Sequence, residues 1–368
     1  MSGSIYRATE SARIVSPMRP STTLALLILA ACATACATAS ARDPVRAGAR
    51  EPVIDMHLHA HSLADYGGGM PLCGNAGALE FPGVDPRGGI TFASPIVSCA
   101  ATSMLQPATS DSALMRASLA MLVHEGVIAA LTTGTVARVA QWRAASNGRV
   151  IPATAFGVGG VTPDSLQALV RDGRVAAFAE VSVQYDGMRL DDPRLEPFFA
   201  LAERLDVPVG VHLGEGPPGG AYVLGDSTGP SAYRVADGNP LQLEPVLVRH
   251  PRLRIWVMHY GSPFVDETIA LLYSHPQVFV DIAQNDWGFP RAHFYSQLQR
   301  LVNAGFAKRI MFGSDQMIWP DAIPLAIETV RSASFLTEGQ KRDILYWNAA
   351  RFLRLDSATV ARHRAMVR

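Results

Sequence analysis

The chain has 368 residues, with Lys plus Arg and Asp plus Glu balanced at 32 each, so it carries no electrostatic footprint for nucleic acid. Apolar residues make up 48% and charged ones 17%, which suits a chain with many buried strands. Beyond residues 1–51 there is no low-complexity tract and no short internal repeat.

Residues 1–51 do not read as folded protein. The apolar run 24–31 is too short to span a bilayer, which needs about 20 residues. Arg19 precedes it and small residues follow, the layout of an export signal. Leu29-Ala30-Ala31-Cys32 resembles the bacterial lipoprotein processing box, in which the cysteine is lipidated and becomes the first residue, and Met18 is a natural start for such a signal. A simple Ala-x-Ala cut between residues 37 and 41 is the rival reading. The expectation is an exported protein, periplasmic or held to the cell envelope by a lipid on Cys32, with no other membrane contact. Cys32 and Cys36 belong to this leader. Cys73 and Cys99 share one long connection between Ala60 and Ser110. In an exported protein they are expected to form a disulfide, two separate buried thiols being the alternative.

Residues 52–368 alternate between apolar runs and amphipathic stretches. The first run ends in Asp55-Met56-His57-Leu58-His59. After the long connection, residues 112–125 carry Met115, Leu119, Leu122 and Val123 at helical spacing, closed by Gly126. Further apolar runs fall at 127–131, 150–156, 175–183, 207–213, 253–258, 278–282 and 310–312. Thr162-Pro163, Asp192-Pro193 and Ser262-Pro263 each read as a cap followed by proline in the first helical turn. In the tail, Thr337 and Gln340 form a capping box, and an amphipathic helix over 344–353 is expected to pack outside. Eight nearly continuous apolar runs alternating with helices predict parallel strands covered on both faces. The expected fold is α/β, a (β/α)8 TIM barrel with a long first βα loop and a C-terminal helix, forming one domain over 52–368. An open doubly wound sheet is the runner-up, but no glycine-rich phosphate loop follows the first run.

Chemistry-bearing residues gather at the ends of these runs. Side chains alternate along a strand, so His57 and His59 point the same way and can bind one metal ion together. Two surface histidines after a core strand would be the simpler reading. Matching partners at other run ends, Glu180, His212, His259 and Asp315, argue against it. Asp55 shares their phase and suits either orienting a ligand or a buried structural hydrogen bond. His61 continues the alternation and is either a substrate contact or a solvated loop histidine. Tyr185, Tyr260 and Trp287 follow strand ends and are weaker substrate-facing candidates, each as readily structural.

Ile-Asp-Met-His-Leu-His, Phe-Ala-Glu-Val, Val-His-Leu, Met-His-Tyr and Phe-Gly-Ser-Asp, in this order, resemble the amidohydrolase superfamily, in its amidohydrolase-related branch. Asn348 to Arg351 matches that branch's Asn-Ala-Ala-Arg helix. The resemblance implies a metal-dependent barrel hydrolase. It would put His57, His59 and Asp315 on one ion, His212 and His259 on a second, and Glu180 between them. Relatives that bind one ion leave the count at one or two. A buried, unpaired carboxylate is costly, so Glu180 needs a cationic partner, with a salt bridge to an arginine as the alternative to metal. Imidazole and carboxylate donors suit zinc or a similar divalent ion. Metal lowers the pKa of its water toward about 7, which supplies hydroxide at neutral pH. Asp315 would then serve as catalytic proton acceptor as well as ligand. The expected activity is hydrolysis of a small-molecule ester, lactone, amide or related bond. A decarboxylase on the same barrel and a non-catalytic periplasmic binding lipoprotein are the alternatives.

Overall fold

Strands form where apolar residues run without interruption, because a strand covered on both faces has no solvent side to make polar. The computed structural model describes residues 51–66, 68–75, 78–81, 83–88, 96–223 and 231–367. The expected leader, with Cys32 and Cys36, lies outside these described residues. Eight strands pair in parallel and in sequence order. They are β1 (Val53–His59), β2 (Val127–Thr133), β3 (Val150–Thr154), β4 (Ala177–Val181), β5 (Val209–His212), β6 (Ile255–Met258), β7 (Val278–Asp281) and β8 (Ile310–Met311). β8 is short, and the ring closes just past its end. Met56 N donates to Phe312 O (2.9 Å), Asp315 N to His57 O (2.7 Å) and His59 N to Gln316 O (3.3 Å). The fold is the expected (β/α)8 barrel.

The outer layer comprises α1 (Asp111–Glu125), α2 (Val136–Ala145), α3 (Pro163–Arg171), α4 (Glu196–Leu205), α5 (Glu244–Arg249), α6 (Val265–Ser274), α7 (Arg291–Asn303) and α8 (Ala322–Ser332). Sequence signals explain several of their ends. Thr162 accepts from Ser165 N in a capping box with Pro163 in the first turn, and Gly126 ends α1 at φ 75°, where a side chain would be strained. Ser262 is a correction. It caps nothing, because its hydroxyl donates to Gln297 Oε1 (3.2 Å) and α6 begins only at Val265.

The long first connection has structure of its own. Leu72–Cys73 pairs antiparallel with Met104–Leu105, Ala78–Glu80 pairs with Ile96–Ser98, and Cys73 and Cys99 are disulfide-bonded with Cα atoms 6.0 Å apart. In the tail, Ile344 O accepts from Phe312 N (2.9 Å), which docks a π-helical turn, Asp343–Trp347, beside the last strand. Phe352 then meets the rings of Trp256 and Phe279, at the starts of β6 and β7, at 5.5 and 5.0 Å. The tail therefore covers the N-terminal end of the barrel and leaves the C-terminal end to the loops. Among the described residues no helix is long and apolar enough to cross a membrane.

Candidate metal centre

The C-terminal strand ends bring six potential ligand side chains together, with Asp55 beside them. Asp55, His57 and His59 share one face of β1, Glu180 lies on β4, His212 ends β5, His259 follows β6 and Asp315 follows β8. His259 and Asp315 adopt φ of 57° and 47°, a region that costs a non-glycine residue about 1–3 kcal/mol. Hydrogen bonds hold both there: His259 N donates to Asp281 Oδ1 (2.8 Å) and Asp315 N to His57 O (2.7 Å).

Glu180 stands between two pairs of histidines. Its Oε2 lies 3.4 Å from His59 Nε2 and 3.7 Å from His57 Nε2, while its Oε1 lies 3.4 Å from His212 Nε2 and 3.7 Å from His259 Nε2. Asp315 Oδ1 joins the first pair, 2.8 Å from His59 Nε2 and 3.6 Å from His57 Nε2. The cationic partners of Glu180 are thus histidines, and the arginine alternative falls away.

The far nitrogen of each ring is engaged elsewhere. His57 Nδ1 meets Asp281 Oδ2 (3.2 Å), His59 Nδ1 meets Thr133 Oγ1 (2.6 Å) and His259 Nδ1 meets Ala283 O (2.9 Å). His212 Nδ1 lies 2.7 Å from the Gln184 amide nitrogen; turning that amide over would give the ring proton an acceptor and use the unpartnered Gln184 oxygen. The Nε2 atoms consequently face inward. Those of His57 and His259 are buried without any hydrogen-bond partner, the state expected of lone pairs reserved for a cation. Three overlapping triads, His57/His59/Glu180, His57/His259/Asp315 and Glu180/His212/His259, each bring their donor atoms within 4.8 Å of one another. Imidazole and carboxylate donors so arranged fit a divalent metal.

The electrostatics agree. Burial alone would raise the Glu180 carboxyl, but His212, His259 and His57 hold it well below the ordinary carboxylate range. Asp315 is likewise held down, against its burial, by His57 and His59. Burial would depress His57, yet Asp315 and Asp281 push it well above its ordinary value. His212 goes the other way, taken down to about 4 by burial and the neighbouring His259 charge. Without metal, the centre obtains positive charge only by loading some imidazoles with protons.

The other candidates divide. His61 stacks on His59 at 4.4 Å, and the Tyr185 hydroxyl lies 3.2 Å from His212 Nε2, so both border the centre. Tyr260 and Trp287, expected to face substrate, do not. Tyr260 is buried in the apolar layer outside the strands, its hydroxyl donating to Gln297 Oε1 (2.6 Å), and Trp287 donates its indole N–H to Ser314 O (2.5 Å). Asp55 is the structural clasp. Its carboxylate accepts from His57 N (3.0 Å), Ser314 N (2.9 Å) and Ser314 Oγ (2.6 Å), joining the first strand to the last. Burial pushes its carboxyl up to about 6. Sequence reasoning passed over Thr133 and Asp281. The signal for Asp281 was present, since it lies at the end of the seventh strand as the ligands lie at the ends of theirs.

A protein-family model described as Amidohydrolase matches residues 54–355. No curated protein matches the sequence. Among solved structures, the chain is similar to a probable 2-pyrone-4,6-dicarboxylic acid hydrolase from Acinetobacter baumannii with citric acid bound, at 13% identity and a TM-score of 0.54, covering 82% of this chain and 99% of that one. It is also similar to an uncharacterized TIM-barrel protein from Bordetella bronchiseptica, at 20% identity and a TM-score of 0.51, covering 68% of this chain and 86% of that one. A 5-carboxyvanillate decarboxylase from Sphingomonas paucimobilis matches at 16% identity and a TM-score of 0.49, over 65% of this chain and 82% of its own. At these identities the structures establish the barrel alone.

Proposed function

The chain belongs to the amidohydrolase family, and from that premise and the geometry of the centre we propose that it is an exported, metal-dependent hydrolase of a small-molecule ester, lactone or amide. The observation that carries the proposal is Glu180, whose two oxygens face two separate histidine pairs. This arrangement suits two divalent ions, zinc being the first choice for imidazole and carboxylate donors. When bound, such ions supply Lewis acidity toward a carbonyl and toward water.

The chain's own residues do the rest. Asp315, held ionised by His57 and His59, can take a proton from the attacking water and hand it to the leaving group. Acid–base help of this kind is worth about 10²–10⁴-fold. Burial raises the Tyr185 phenol, so it keeps its proton and can donate to the oxygen on which charge develops. His61, taken down to about 4 by burial, is neutral at pH 7 and walls the site beside His59. Tyr66 meets His61 at 5.3 Å and Trp319 at 6.0 Å, extending that wall with aromatic surface. The strongest charges acting on Glu180 and Asp315 are histidines, with no Lys or Arg among them. A carboxylate placed to face two ions suits the making of hydroxide, which favours hydrolysis over decarboxylation. Export draws support from the Cys73–Cys99 bridge, which persists in an oxidising compartment.

The test is a panel of neutral esters, lactones and amides with aromatic carboxylates beside them, assayed before chelation, after it, and after zinc is restored. Metal-dependent release of an acid from a neutral substrate is expected. Carbon dioxide release without hydrolysis would replace the reaction with decarboxylation. Ligand binding by metal-free protein with no turnover would replace the enzyme with a binding protein.

A further inference from the structure

The seventh strand supplies no ligand to the centre, yet its last residue touches both halves of it. Asp281 is fully buried and makes four contacts. Its Oδ2 lies 3.2 Å from His57 Nδ1 and accepts from Trp256 Nε1 (3.0 Å). Its Oδ1 accepts from His259 N (2.8 Å) and Ala283 N (3.2 Å). Ala283 O in turn meets His259 Nδ1 at 2.9 Å, so the same short segment grips the His259 ring and backbone together. Gly210 on β5 makes the arrangement sterically possible. A Cβ there would lie 2.4 Å from the Trp256 ring that presents its N–H to the carboxylate.

We propose that Asp281 is a positioning residue that sets both halves of the metal centre at once, fixing the proton of His57 on Nδ1 and the pose of His259 through its backbone. The proposal rests on the reading that the centre holds divalent ions. A carboxylate facing Nδ1 keeps the ring proton there and leaves the Nε2 lone pair pointing inward. His259 needs a second kind of control, because its backbone sits at φ 57°. The Asp281 bond to its N–H holds that conformation and with it the direction of the ring. The outer partners of the other two rings have narrower reach: Thr133 Oγ1 contacts only His59 among the four, and the Gln184 amide only His212.

Asp281→Asn separates positioning from packing, since it keeps size and removes one acceptor. With its oxygen on the two backbone N–H groups, its amide N–H faces His57 Nδ1 and Trp256 Nε1. The His57 proton then moves to Nε2, where it blocks a metal. With the amide reversed, its N–H faces two backbone N–H groups, which is worse. The ion on the His57 side is therefore expected to weaken by about 10–100-fold, as changes of this kind behind a ligand usually do. Asp281→Ala, which removes all four contacts, should weaken both ions.

Affinities are read by chelator competition on apo-protein reloaded with zinc, with the wild type alongside. Unchanged affinity for both ions in Asp281→Asn would overturn the proposal. A wild type that binds no zinc would instead sink the metal reading itself. Should the variants fail to fold, nitrogen NMR of histidine-labelled, zinc-loaded wild type decides: a proton on His57 Nδ1 supports the proposal, and its absence there overturns it.

Discussion

Glu180→Gln gives the sharpest test of the centre, because its outcome follows from counting donor atoms. Four surround one half: His57 Nε2, His59 Nε2, Asp315 Oδ1 and Glu180 Oε2. Three surround the other: His212 Nε2, His259 Nε2 and Glu180 Oε1. An amide has one acceptor oxygen, so only one half can keep it, and the other meets an N–H aimed at imidazole lone pairs. The four-donor half still holds three without Glu180, the usual number of protein ligands at a catalytic zinc. The three-donor half drops to two and should empty. Metal analysis after gel filtration in chelator-free buffer should therefore fall from two ions per chain to one. Turnover should fall at least a hundredfold, equivalent to about 2.7 kcal/mol at 1.36 kcal/mol per decade. His212→Asn should give the same stoichiometry, and the double variant should lose little more, because both changes empty the same half. Two retained ions with unchanged turnover would refute the reasoning and leave Glu180 a buried acid balanced by imidazoles.

Three further outcomes are expected. Asp315→Asn should lose at least a hundredfold in kcat while keeping at least one ion, a drop set by the usual worth of general acid–base help; near-normal turnover in metal-loaded variant would rule out its proton-carrying role. In chelated protein, Glu180 and Asp315 are held below their ordinary range, so they stabilise the fold above that range and the contribution disappears as pH falls through and below it. The melting temperature of chelated wild type should thus drop between about pH 5 and pH 3, with a shallower drop in Glu180→Gln, and equal slopes would contradict the charge balance described. Mass spectrometry of the mature N-terminus should find a diacylglyceryl group on Cys32, whereas a chain beginning at Ser40 or Arg42 would retain export and remove the anchor.

Much of this was legible in the sequence, for identifiable reasons. Parallel strands buried on both faces appear as unbroken apolar runs, so all eight could be found, and period-two alternation put Asp55, His57 and His59 on one face. What stayed hidden depends on backbone conformations that apolar patterning does not encode. Tyr260 follows His259 directly, and both take positive φ, 42° and 57°, which turns the tyrosine ring into the layer outside the strands. Trp287 sits within a single helical turn, Asn285–Gly288, that follows Gln284 at φ 63° and directs its indole onto Ser314. Ser262 has the composition of a helix cap, yet Gln297 from α7 takes its hydroxyl. The part played by Asp281 was harder to read, although it ends its strand as the ligands end theirs, because its long-range partners come from two other strands, β1 and β6, and meet only in the closed ring.

That closure has a consequence for how the protein matures. Asp55 and Ser314 are 259 positions apart in the chain and are clasped together at the seam where the first strand meets the last. His57 and His59 lie on one side of that seam and Asp315 on the other. A nascent or translocating chain therefore cannot assemble the complete donor set until its final strand has arrived, since capture of metal and completion of the barrel depend on the same contacts. If the proposed export precedes folding, the ions must be acquired on the far side of the membrane, and the metal available there would decide which one the protein carries.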